Sequence, residues 1–126
     1  MRFRNDKPIF QQIVENLEEQ VLRGELAPDE RIPAVRDYAM TIEVNPNTVV
    51  RSFLELEEAG VIFKKRGLGY FLSADAKKLI LARRKKDFVQ NVMPEFVRNM
   101  KLLGIGLEQL TDYFSKTTDT DSKEEE

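Results

Sequence analysis

Asn45-Pro46-Asn47-Thr48 is a helix start that can be read in one register only. Asn45 suits the N-cap, and Pro46 suits the first helical position, where a missing N–H costs nothing and the fixed φ is already helical. The helix it opens is predicted to continue to about Ala59 and to stop at Gly60. Upstream, Val35, Tyr38, Ala39 and Ile42 form the apolar set of another short helix over about 34–41. The join, residues 41–45, leaves three to four residues between the two helices, the length of a helix-turn-helix turn.

The surroundings extend that pair. Phe10, Ile13, Val14, Leu17 and Val21 recur at three- and four-residue steps and predict a helix over about 8–23, ended by Gly24. Asp6 is a candidate cap for it, and Gln11, Glu15, Glu18 and Glu19 fall off the apolar stripe. Arg31-Ile32 suits a very short strand before Pro33. In residues 61–72, two strand-prone runs flank the tip Lys64-Lys65-Arg66-Gly67, which predicts a β-hairpin with a basic tip. Three helices and such a hairpin make a winged helix-turn-helix over residues 1–74, so the fold class is mainly α with one small hairpin.

From Asp75 the pattern changes. Leu79, Ala82, Lys86, Val89, Met93, Phe96, Met100 and Leu103 alternate steps of three and four, a heptad seam with one polar member. Pro94 should kink or divide that helix. Gly104-Ile105-Gly106 breaks it, and Leu107, Leu110, Thr111 and Phe114 mark a closing helix. Residues 75–116 are therefore expected to be a helical dimerisation segment, pairing two copies through Val89, Met93, Phe96, Val97, Met100, Leu103, Leu107, Leu110 and Phe114. Residues 117–126 are too polar to order alone and are expected to form a disordered acidic tail.

Turning the helix from Asn45 by about 100° per residue puts Val49, Ser52, Phe53 and Leu56 on the core side. Asn47, Arg51 and Leu54 lie opposite, with Thr48 and Val50 on the flanks. A helix so placed offers its N-terminal residues to base edges: Asn pairs bidentately with adenine, Arg with guanine, and Val50 can meet a thymine methyl. The free N–H groups of the helix start would suit a phosphate. Arg36, in the preceding helix, and Lys64, Lys65, Arg66 and Gly67 at the hairpin tip are expected on the DNA backbone or in the minor groove. The bland alternative for each is a solvated surface, and for Val50 and Leu54 also packing against the hairpin or a neighbouring helix. A solvated surface is the preferred reading for the run Arg83-Arg84-Lys85-Lys86, because charge runs on long helices usually face water.

Composition removes other classes. The 126 residues include no cysteine and no histidine, which excludes disulfides, thiolate and imidazole chemistry and most zinc sites. No enzyme, cofactor or metal is expected. The longest apolar runs are a few residues, and the N-terminus lacks a secretory core, so no membrane partner and a cytoplasmic setting are expected. The net charge of −2 does not oppose DNA binding: the last ten residues carry −4, leaving +2 on the body. Nothing in the sequence identifies a small-molecule effector, and about 50 residues in two helices cannot enclose a typical ligand pocket alone.

Five ordered motifs then carry a resemblance: Pro8-Ile9-Phe10-Gln11-Gln12-Ile13, Leu22-Arg23-Gly24-Glu25-Leu26, Arg31-Ile32-Pro33-Ala34-Val35-Arg36, Asn45-Pro46-Asn47-Thr48-Val49 and Arg66-Gly67-Leu68-Gly69-Tyr70-Phe71. Over about residues 7–73 the chain resembles the DNA-binding domain of the GntR family, and its Val44-Asn45-Pro46-Asn47-Thr48-Val49 form, with only about 50 residues following the domain, resembles the YtrA subfamily. The resemblance implies a bacterial transcription factor, a homodimer on double-stranded DNA with inverted-repeat operators, and usually repression. The chain departs from the pattern at Pro46 and Val50, where many relatives carry arginine, at Ala34, where serine is common, and at Pro28-Asp29, where Pro-Gly is frequent. A protein-binding winged helix without specific DNA contact is the alternative. A regulator fused to a pyridoxal-phosphate domain would need several hundred further residues.

Overall fold

In a computed structural model, which describes residues 1–124 and side chains through Thr117, the chain forms two compact units, Met1–Arg84 and Lys85–Glu126. The first contains α1 (Ile9–Leu22), α2 (Val35–Ile42), α3 (Pro46–Glu58), the hairpin strands β1 (Ile62–Lys65) and β2 (Gly69–Leu72), and most of α4 (Ala76–Asp87). α3 starts as expected: Asn45 Oδ1 accepts from the Asn47 amide at 2.8 Å, with Pro46 in the first turn. α2 stops because Glu43 takes a left-handed conformation (φ 57°), which lets the Val44 amide donate back to the Ala39 carbonyl at 3.0 Å.

The core of this unit is the apolar stripe of α1 (Ile13, Val14, Leu17, Val21) closed over Val49, Phe53 and Leu56 of α3. Phe53 is its centre, 1% exposed, with Tyr70 edge-on at 5.4 Å and Tyr38 at 6.1 Å between ring centroids. Buried Ser52 donates to the Phe10 carbonyl at 2.8 Å, which ties α3 to the first turn of α1. Ile32, Ile62 and Leu72 bring the hairpin into the same core.

Four expectations in this unit need correction. Asp6 does not cap α1. Pro8 occupies the N-cap without a side-chain bond, and the preceding segment is held by Gln12, whose amide accepts from Arg4 N (2.7 Å) and donates to the Arg4 and Lys7 carbonyls. Glu18 does not face water. It is 3% exposed, with Arg84 Nε and Nη2 donating to Oε1 at 3.3 and 3.2 Å and Arg83 paired with Oε2. Arg84 Nη2 also donates to the Glu15 carbonyl at 3.0 Å, so two members of the charge run read as solvated instead clamp α4 onto α1. Burial, and secondarily the adjacent Arg84, lowers the pKa of the Arg83 guanidinium. The apolar residues of α4 that bury are Ala76 and Ile80, at 1% and 0% exposure, not the seam members Leu79 and Ala82. Ala76, Ile80, Arg83 and Arg84 lie four, seven and eight residues along, one helical face.

In the second unit a π-helical turn (Phe88–Val92) precedes α5 (Met93–Leu103), and α6 runs Leu107–Glu124. Pro94 accounts for the interruption: it has no N–H to offer the preceding turn and its ring crowds that turn's carbonyl. The wider turn shifts the rotation of α5 by one residue, so the heptad seam is not one continuous α-helical stripe. Gly104 closes α5 in a left-handed conformation (φ 71°), and the Gly106 amide donates to Gln109 Oε1 at the start of α6. The closing helix does not end at residue 116. Its backbone continues through Glu124, with Thr117 Oγ1 donating to the Tyr113 carbonyl, so the disordered tail expected from residue 117 is helical to that point, while residues 125 and 126 lie outside the described residues. Among the described residues no helix is long and apolar enough to cross a membrane.

Candidate nucleic-acid interface

The start of α3 presents the residues expected to read bases. Asn47, Val50 and Arg51 are exposed and Thr48 is half-buried, while Val49, Ser52 and Phe53 turn inward. Leu54 is exposed as well. Arg51 is not a loose side chain: its guanidinium lies 3.7 Å above the centre of the Phe10 ring. That stacking orients the fork and limits the rotamer entropy lost when it engages an acceptor. Sequence spacing could not reveal this pairing, because the two residues meet only once α1 and α3 have packed.

One expected feature is absent. Pro46 has no N–H, Asn47 N donates to Asn45 Oδ1, and Thr48 N and Val49 N donate to the Asn45 carbonyl at 3.0 and 3.4 Å. The amides at the start of α3 are thus already engaged, and only the positive end of the helix dipole remains for a phosphate.

Arg36 is exposed on the first turn of α2. In the hairpin, β1 and β2 pair antiparallel with Lys64 opposite Tyr70 and Lys65 opposite Gly69, leaving Arg66-Gly67-Leu68 as the tip. Gly67 adopts φ +78°, a conformation a β-carbon would strain, and Leu68 N donates to the Lys65 carbonyl at 2.9 Å to close the turn. Lys64, Lys65, Arg66 and Gly67 are all exposed. Lys64 Nζ stands 5.8 Å over the Tyr70 ring, whose hydroxyl pKa is raised by burial and further by Glu57. Among the described residues, Arg36, Arg51, Lys64, Lys65 and Arg66 enter no salt bridge, in contrast to Arg83, paired with Glu18, and Arg84, paired with Glu18 and Glu19. Among those residues, too, no group of acidic side chains converges as a metal site.

Residues 9–72 match the model of the bacterial regulatory proteins of the gntR family. The chain belongs to the GntR family. This GntR protein is 34% identical over 111 residues to the uncharacterised HTH-type transcriptional regulator YhcF of Bacillus subtilis, covering 88% of this chain and 90% of the relative. It is 32% identical to the HTH-type transcriptional repressor YtrA of the same organism, covering 90% of this chain and 86% of the relative. A crystal structure of a putative GntR-family regulator from Bacteroides thetaiotaomicron superposes with a TM-score of 0.77 at 33% identity, covering 90% of this chain and 99% of that one. The GntR protein is therefore a DNA-binding transcriptional regulator with a winged helix-turn-helix, similar to YtrA along most of its length.

Proposed function

We propose that this GntR protein is a repressor that binds an inverted-repeat operator as a homodimer and catalyses no reaction. Asn47, Thr48, Val50 and Arg51 read base edges in the major groove. Arg36, Lys64, Lys65, Arg66 and Gly67 hold the backbone or minor groove. The observation that carries this is electrostatic: the five cations of that set are solvent-facing and outside salt bridges among the described residues, whereas the arginines of the 83–86 run are paired. Repression is the role named for YtrA.

Dimerisation falls to the second unit. None of α5 is buried, and Val89, Met93, Phe96, Val97, Leu103, Leu107 and Phe114 are 41–75% exposed, with Met100 and Leu110 half-buried. Between α5 and α6 runs an open groove of about 530 Å³ lined by Phe96, Met100, Leu103, Ile105, Leu110 and Tyr113. A second copy would cover this surface, and the twofold axis relating the copies imposes the inverted repeat.

Two measurements test the DNA reading. Four backbone cations in each subunit, and so about eight neutralised phosphates for the dimer, predict that log affinity falls with log salt at a slope of about −7. A flat response in a gel-shift series would dismiss it. Arg51→Ala and Asn47→Ala should each cost roughly 1–3 kcal/mol on a selected operator and relax base preference at one position. Lys65→Ala should weaken selected and random duplexes alike. If Arg51→Ala lost equally on both duplexes, Arg51 would be a backbone contact.

A further inference from the structure

An isolated β-bridge extends the edge of the hairpin, and its outward residue is a cation, Arg31, to which the sequence reading gave no DNA contact. Arg31 bridges Phe71 antiparallel; Ile32 N donates to the Tyr70 carbonyl at 3.0 Å and Leu72 N donates to the Glu30 carbonyl at 2.9 Å. Strand alternation sends Ile32 into the core, 2% exposed, and Arg31 to the opposite face with Phe71. That face is already organised. Phe71 stacks on Phe63 at 6.0 Å, and Lys65 Nζ stands 4.3 Å over Phe71 and 5.7 Å over Phe63.

Gly69 completes it. A β-carbon built on Gly69 would lie 3.4 Å from Arg31 Nε and 3.7 Å from Nη2, so the guanidinium rests against the bare backbone of the residue that pairs with Lys65. Gly69 also has φ +107°, which disfavours any side chain there. Arg31 is exposed and, among the described residues, enters no salt bridge. Two cations from separate stretches of chain thus share one aromatic face beside the wing tip.

We propose that Arg31 is a fourth cation of the wing, holding a DNA phosphate beside those taken by Lys65 and Arg66. An arginine fork suits this task, because its fixed donors meet two phosphate oxygens at once, and Gly69 leaves it the room. The inference rests on the reading of the wing as a DNA contact, so its test carries controls for that reading.

The full chain is titrated by fluorescence anisotropy against a selected operator and a random-sequence duplex over a range of salt. Arg31→Ala and Arg31→Gln, the second of which keeps the methylene cover over the backbone, each remove two phosphate contacts from the dimer and should weaken both duplexes about thirtyfold at 0.15 M salt and make the log–log slope shallower by about 1.8. Arg31→Lys should retain the slope. Unchanged affinity and slope for Arg31→Gln, alongside losses for Lys65→Ala and Arg66→Ala, would overturn the role of Arg31 and leave the wing reading standing. No loss for any of the three positions would overturn both. A loss for Arg31→Gln confined to the selected operator would make Arg31 a base reader and refute the phosphate assignment.

Discussion

Replacing Phe96 and Met100 with aspartate is expected to turn the protein into a monomer that keeps its winged unit and loses operator affinity by about a hundredfold or more. Phe96 is 47% exposed and Met100 half-buried, and both line the α5–α6 groove. Covering a large apolar side chain contributes about 1.5–3 kcal/mol, and each replacement occurs twice in a twofold interface. A carboxylate in its place would have to be desolvated without a partner, reversing the sign of the contribution. The winged unit has its own core, Met1–Arg84, and should melt as in the parent. Operator affinity collapses because two linked heads act at high effective concentration on two half-sites, and one head does not. Binding to random DNA should fall far less. Sedimentation checks the first half of this expectation and anisotropy the second. A parent protein that sediments as a monomer at tens of micromolar, with and without DNA, would refute it.

The second large effect is on stability. Arg83→Ala with Arg84→Ala strands the Glu18 carboxylate, which is 3% exposed. Stranding a buried charge costs about 3–5 kcal/mol, and the lower end applies here because the arginine side chains are 44% and 33% exposed and water reaches the site once they are truncated. Denaturant unfolding of the winged unit should register that loss. Adding Glu18→Leu to the double variant should recover most of it, since an apolar side chain next to Leu17 and Val21 needs no partner. If the triple variant were as unstable as the double, the arginines would be acting through packing rather than charge.

Local chemistry made much of the winged unit legible. The Asn45-Pro46 start, the stripe from Ile13 to Val21 and the hairpin around Arg66-Gly67 are each determined by neighbours in sequence, through capping, periodicity and glycine's freedom at positive φ. The misreadings share another origin. Glu18 looks like a surface acid until α4 arrives 65 residues later with Arg83, and Arg31, expected in a very short strand, gains its place beside the wing only when β2 is paired with it. The α3 amides looked free because the number of bonds one Asn45 can accept is not visible in a motif. The π turn was foreshadowed by Pro94 only as a kink of unspecified kind, and the helix beyond Thr117 extends through residues whose composition alone argued against it.

The bond from Ser52 to the Phe10 carbonyl and the stacking of Arg51 on the Phe10 ring have a consequence for re-engineering. A recognition helix is often treated as a cassette, with new base preferences obtained by exchanging its exposed residues. Here the cassette has a component outside itself: the side chain that aims Arg51 sits on α1, more than 40 residues upstream. A chimera that receives residues 45–58 alone would inherit the arginine without its rest. Specificity libraries built on this scaffold should therefore diversify position 10 together with positions 47, 50 and 51.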